Sequence, residues 1–293
     1  MVSQKVSLLI LKGKFVQQQR LAVSWYMGAN MTNSLHSRQH RRWFEYFGSD
    51  ISADATLFCF PFVGGNEHNY TKWCDKINSH FDVAALKMPG RPSRSREGFP
   101  EQVADLVSPI VEQLVNYPKP FAIFGHSMGG LLAFLVTAAL NQRGVSTLGT
   151  FISARPAPQL SILKRRAHLP EPALINELRT LGGTPEEVLR NTELMQSVLP
   201  IIRADYHLLE QFSYEGQADA ITQPLEIIAA TQDKLVSDTQ INAWRQLPLK
   251  QLNQFDIEGE HFYLNQHPDA LFEYINTKLS DALSEINQFA CAS

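Results

Sequence analysis

The segment Phe121-Ala122-Ile123-Phe124-Gly125-His126-Ser127-Met128-Gly129-Gly130 joins a short apolar run to a Gly-His-Ser-Met-Gly turn and then to a long apolar stretch. The loop Tyr117-Pro118-Lys119-Pro120 precedes the run, which reads as a buried parallel strand, and residues 131–136 read as a buried helix stopped by Gly144. Gly125 and Gly129 admit a backbone turn too tight for a Cβ, with His126 shaping it from within. At such a strand-to-helix elbow the Ser127 hydroxyl projects outward as an attacking group.

A serine nucleophile needs a base and an orienting acid, and with this elbow they follow in the order acid, then histidine. The apolar run 224–230 ends at Thr231-Gln232-Asp233, which puts Asp233 just past the C-terminal end of a strand, where ligands gather in open α/β sheets. Its rival Asp238 follows Ser237 at the start of a helix predicted over 239–247 and reads mainly as that helix's cap. A last strand over 251–257 leads into Glu258-Gly259-Glu260-His261-Phe262, so His261 lies in a loop after a strand and downstream of the acid. Among the other histidines, His36 and His40 lie in a polar leader, His68 and His80 flank a predicted helix, His168 and His207 fall in an inserted segment, and His267 precedes Pro268 at the start of the last helix.

Attack on an acyl carbonyl puts negative charge on oxygen, and backbone N–H groups must be aimed there in advance. One donor is expected from Met128, the residue after the nucleophile. The second is expected from Phe62 or Val63, in the loop where Leu57-Phe58-Cys59-Phe60 runs into Pro61-Phe62-Val63-Gly64-Gly65.

Strand and helix signals alternate around these positions. A strand near Leu57 precedes a helix over 68–80 and a strand over 83–88. A helix follows with Val103, Leu106, Val107, Ile110, Val111 and Leu114 on one face, and a strand over 148–153 comes after the elbow helix. The order implies an α/β chain with a doubly wound, mainly parallel sheet. Between about 157 and 222 the strand signals stop. Helices are expected there over 172–181, then a short one capped by Thr184 with Glu187 closing the box, then one over 193–212 interrupted near Pro200. That insertion reads as a helical lid whose apolar residues, Leu194, Met195, Val198, Leu199, Ile202, Tyr206, Leu208 and Leu209 among them, mostly pack it onto the core or else line an acyl channel.

Several ordered motifs carry a family likeness: Phe60-Pro61-Phe62-Val63-Gly64-Gly65, Trp73, Met88-Pro89-Gly90-Arg91, the elbow itself, Leu181-Gly182-Gly183-Thr184-Pro185, Arg203-Ala204-Asp205-Tyr206, and Gly259-Glu260-His261-Phe262-Tyr263-Leu264. From about Thr56 to about Leu279 the chain resembles the type II thioesterases, discrete α/β-hydrolases that accompany nonribosomal peptide, polyketide or fatty acid synthases. The likeness implies a Ser127, Asp233, His261 triad and carrier-protein domains as partners. It also implies a substrate that brings its own phosphopantetheine, so no cofactor on the enzyme. Where the family often has His or Trp and then Ala, this chain has Phe62-Val63, a change that leaves backbone donation intact and alters the pocket wall.

Composition fits a soluble enzyme: 293 residues, 44% hydrophobic and 19% charged, can bury one large α/β core with an insertion. A formal net charge of -3 without a dense Lys/Arg cluster argues against nucleic acid as a partner. Lys164-Arg165-Arg166 and the arginines of Arg91-Pro92-Ser93-Arg94-Ser95-Arg96 are candidates for meeting an acidic carrier domain, or else solvated surface. Cys59, Cys74 and Cys291 form no framework, no Cys/His spacing suggests a metal, and the pattern suits a reducing cytoplasm; a monomer is expected. Residues 1 to about 50 read as a polar leader, poorly ordered at least to 30, with residues 37–44 a candidate start of the packed domain. Its apolar run 6–11 is too short for a secretory or membrane segment, and a chain starting at Met27 or Met31 is expected to suffice.

Overall fold

A computed structural model describes residues 38–48, 53–160, 165–266 and 268–291. The expectations placed on the leader before residue 38, and on Lys164 and His267, lie outside them.

Seven strands form one sheet: β1 (Phe44–Phe47), β2 (Ala55–Phe60), β3 (Phe81–Leu86), β4 (Phe121–His126), β5 (Thr150–Ser153), β6 (Leu225–Ala230) and β7 (Leu252–Ile257). Their spatial order is β1-β3-β2-β4-β5-β6-β7, with β1 antiparallel to β3 and every other pair parallel. The central strands are buried throughout and mostly apolar because both faces are covered. Alternate side chains divide between the faces. Phe58, Phe60 and Ile123 join one core with Leu132, Phe134 and Ile110, while Leu57, Cys59 and Phe124 join a second with Trp73, Phe272 and Ile275. The first core lies under α2 (Ala104–Leu114) and α3 (Met128–Gln142), the second under the long α8 (Asp269–Cys291). Among the described residues, no helix is long and apolar enough to cross a membrane.

The helix expected over 68–80 is instead a 3₁₀ helix, Glu67–Asp75, opened by a capping box between Asn66 and Asn69. It stops because the Asn78 N–H donates to Asn276 Oδ1 on α8 and the Asn78 side chain accepts the His80 N–H, a turn that delivers Phe81 into β3. Packed structure is present ahead of β2, in the segment that reads as a candidate start of the packed domain. Helix α1 (Arg38–Trp43) and edge strand β1 belong to the fold, and His40, expected in the leader, is buried with its Nε2 2.8 Å from the Tyr46 hydroxyl.

Between β5 and β6 stand α4 (Glu171–Leu181), α5 (Glu186–Arg190) and α6 (Thr192–Gln211), the expected helical lid. Two local readings change. Thr184 does not cap α5: Pro185 holds the N-cap position, with no side-chain cap, and Glu186 and Glu187 lie in the first turn. Helix α6 runs unbroken through Pro200, because Asn191 caps it and Met195, Leu199, Ile202 and Tyr206 are buried on both sides of the proline. After β6, α7 (Asp238–Asn242) is capped by Ser237 with Gln240 completing the box, so Asp238 is the first helical residue rather than the cap.

Candidate active site

All the expected site residues lie at the C-terminal ends of the parallel strands. Strand β4 ends at His126, α3 begins at Met128, and Ser127 between them has φ 53° and ψ −109°, a conformation that residues with a Cβ rarely adopt. The Ser127 N–H donates to the Ser153 carbonyl of β5 at 2.8 Å, which pins the elbow to the neighbouring strand. A Cβ at Gly125 would come within 2.0 Å of the Gly129 carbonyl oxygen, and one at Gly129 within 2.1 Å of the Phe60 carbonyl oxygen, so both positions exclude side chains.

Asp233 and His261 meet across 28 residues of sequence, His261 Nδ1 lying 2.7 Å from Asp233 Oδ2 with both side chains nearly sealed from solvent. The other carboxylate oxygen, Oδ1, accepts the N–H groups of Leu235 at 2.7 Å and Val236 at 3.1 Å. An ionised carboxylate only accepts, so this geometry puts the imidazole proton on Nδ1 and leaves Nε2 as an acceptor. Ser127, His261 and Val63 border one cavity of about 330 Å³ beneath the lid.

His126 lies against the site without titrating in it. Burial, and secondarily the neighbouring His261, hold it well below the usual imidazole range. Its Nδ1 is 2.8 Å from Ser153 Oγ, which is in turn 2.6 Å from the Tyr263 hydroxyl, and its ring sits 5.1 Å from that of His261. It braces both the elbow and the loop that carries the histidine.

The loop after β2 forms a turn from Phe62 to Gly65, closed by the Gly65 N–H donating to the Phe62 carbonyl at 2.9 Å. Gly64 takes the positive φ of 75° that the third position of a type II turn requires. Of the two expected donors, Val63 borders the cavity. Phe62 packs its ring edge-on against His126 and Phe262. Met128 is the first residue of α3, where backbone N–H groups lack intrahelical acceptors.

A pair not singled out as functional from the sequence holds this turn. Asp205 of α6 accepts the Gly64 N–H at 2.8 Å and an Arg91 Nη2–H at 2.5 Å, while Arg91 Nε donates to the Gly65 carbonyl at 2.8 Å. Both side chains are almost fully buried, and burial pushes the Asp205 carboxyl up despite the adjacent guanidinium. The only sequence signal for it was that Arg91 and Asp205 each fall in a motif of the family likeness. Arg91 and Arg94 are therefore not available as surface charge: Arg94 is also buried and pairs with Glu97. Breaking a buried pair leaves an uncompensated charge, so Asp205→Ala is expected to destabilise the protein by about 3–5 kcal/mol. Urea unfolding should show this, with Arg91→Met/Asp205→Leu less damaging than Asp205→Ala alone.

Residues 55–279 match the thioesterase domain family. The gramicidin S biosynthesis protein GrsT of Aneurinibacillus migulanus is 30% identical over 247 residues, covering 82% of this chain and 95% of that protein. Among solved structures, YbtT, a type II thioesterase from the yersiniabactin NRPS/PKS biosynthetic pathway, superposes with a TM-score of 0.73 at 27% identity, covering 82% of this chain and 99% of that one. The RedJ thioesterase from the prodiginine pathway of Streptomyces coelicolor gives a TM-score of 0.71 at 28% identity, covering 78% and 91%. The family match runs from the first residue of β2 into α8 and so takes in the elbow, the histidine loop and the lid together. By that match this chain is a member of the thioesterase domain family, an α/β-hydrolase that cleaves thioesters.

Proposed function

We propose that this protein hydrolyses acyl or peptidyl thioesters carried on the phosphopantetheine of synthase carrier domains, clearing stalled or misprimed chains, with Ser127 as nucleophile, His261 as base and Asp233 as orienting acid. The observation that carries the reading is the Asp233-held His261 bordering the same cavity as a serine on a positive-φ elbow. His261 Nε2 takes the Ser127 proton as Oγ attacks the thioester carbonyl, and the N–H groups of Met128 and of the Phe62-Val63 turn receive the oxyanion. The carbon–sulfur bond breaks and the pantetheine thiol departs with the proton. Water deprotonated by His261 then hydrolyses the acyl-serine. No cofactor is needed on the enzyme, since the pantetheine arm arrives with the substrate.

Two features favour a carrier-bound substrate over a free ester: GrsT belongs by name to gramicidin S biosynthesis, and YbtT to an NRPS/PKS pathway. Release of finished product is the related alternative, and a carboxylesterase or lipase the more distant one. The test compares kcat/KM for one acyl group on a phosphopantetheinylated carrier domain, on N-acetylcysteamine and as a p-nitrophenyl ester. Binding energy from the remote carrier should raise kcat/KM by orders of magnitude. Equal values for all three substrates would favour an esterase. We also propose a cytoplasmic monomer.

A further inference from the structure

Arg155, two residues past the end of β5, borders the same cavity as Ser127 and His261 and is only 8% exposed. Its Nε is sealed from solvent with no acceptor in reach, and among the described residues no carboxylate pairs with it. The other fully described buried arginines have carboxylates: Arg91 holds Asp205 and Arg94 holds Glu97. Burial alone pushes the Arg155 guanidinium down to about 10, which leaves it charged at neutral pH.

The helix end beside it adds positive character, and Glu210, the one carboxylate that borders the cavity among the described residues, does not pair with it. Arg155 lies against the first turn of α3, where a Cβ at Gly130 would be 3.1 Å from its own Cβ, and a helix N-terminus carries partial positive charge. The other charged residues bordering the cavity are already engaged. Arg166 pairs with Glu177, and Glu210 accepts the backbone N–H groups of Arg166 and Ala167. The backbone is braced where it aims Arg155 inward: Ala154 has φ 47°, its N–H donates to the Ile228 carbonyl, and Trp244 Nε1–H donates to the Arg155 carbonyl at 2.9 Å. A non-glycine residue held at positive φ is maintained only by such surrounding structure.

A buried cation without a counter-ion is unfavourable until an anion reaches it. We propose that Arg155 is an anion subsite of the acyl cavity, and that this enzyme hydrolyses thioesters of short acyl groups ending in a carboxylate. The inference rests on thioester hydrolysis at Ser127 and names its substrate class. The anion belongs to the acyl chain and not to the carrier arm, because Arg155 sits beside the elbow while the arm's phosphate is separated from the thioester by the whole pantetheine. A cavity of about 330 Å³ suits a short chain. The reaction is ordinary hydrolysis: water supplies hydroxyl to the acyl carbon and hydrogen to the sulfur, and the distal carboxylate is unchanged while a planar guanidinium grips it.

The test uses N-acetylcysteamine thioesters, which carry no phosphate, of malonyl, succinyl and glutaryl groups. Each is paired with its apolar isostere: 3-methylbutanoyl, 4-methylpentanoyl and 5-methylhexanoyl. For at least one pair, Arg155→Met should lower the ratio of kcat/KM, carboxylated over apolar, by about 10- to 100-fold, and Arg155→Lys should retain most of it. Three results would overturn the proposal. The ratio could stay fixed in every pair while the apolar members are still hydrolysed, which leaves the thioesterase reading intact. The loss could appear only with coenzyme A or carrier thioesters whatever the acyl group, which assigns Arg155 to the phosphate. Wild type could hydrolyse no member of the series on any carrier, which removes the thioesterase reading as well.

Discussion

Ser127→Ala is expected to lose essentially all turnover, with kcat falling by roughly 10⁴–10⁶, while the fold survives. The substitution removes one hydroxyl from a residue whose structural role is carried by its backbone: the N–H on the Ser153 carbonyl and the carbonyl that accepts the Gly130 N–H at 3.1 Å are unchanged in alanine. Alanine tolerates the elbow φ of 53° about as poorly as serine does, so no new strain arises. A serine-directed phosphonate should therefore label wild type and leave the variant unlabelled by intact-mass spectrometry, with matching thermal midpoints. Label persisting on the variant would mean another nucleophile.

Asp233→Asn should cost nearly as much, about 10⁴ in kcat. The carboxylate accepts three hydrogen bonds, from His261 Nδ1, Leu235 N–H and Val236 N–H. An asparagine can keep its oxygen on the two backbone donors only by turning its NH₂ toward Nδ1. That amide would donate where the carboxylate accepted, moving the imidazole proton to Nε2 and leaving no base for Ser127. Asp238→Asn is the control. Ser237 caps α7, and Asp238 contributes only a favourable charge in the first turn, so its variant should stay near wild type. Equal losses at 233 and 238 would break the assignment of the acid.

What could be read in the chain follows from how local each determinant is. The strands β2 to β6 are short apolar runs bounded by Pro, Gly and polar turns, and both faces being covered makes them continuous, so their positions are legible to within a few residues. The elbow is legible because the glycines that permit it are adjacent to the serine. Strand β1 is not: four residues, Phe-Glu-Tyr-Phe, are too few to show a period, and they become a strand only by pairing with β3 about forty positions later. The break expected at Pro200 reflects a local cost, one lost backbone hydrogen bond, that tertiary burial on both sides of the proline outweighs. Arg91 and Asp205 are 114 residues apart, and nothing in either neighbourhood distinguishes a buried ion pair from two surface charges.

That ion pair decides which part of the lid can serve as a door. One carboxylate oxygen of Asp205 on α6 accepts from both the Gly64 N–H and the Arg91 guanidinium, so lifting α6 would strand two buried charges and unseat the Phe62–Gly65 turn together, at a cost of several kcal/mol. Helix α6 is thus the door frame. Leu178 and Leu181 of α4 and the Gly183-Thr184 link to α5 also line the cavity, and among the described residues neither helix has a hydrogen bond or ion pair to the turn, so these shorter helices are the part of the lid that can move without breaking the Asp205 contacts.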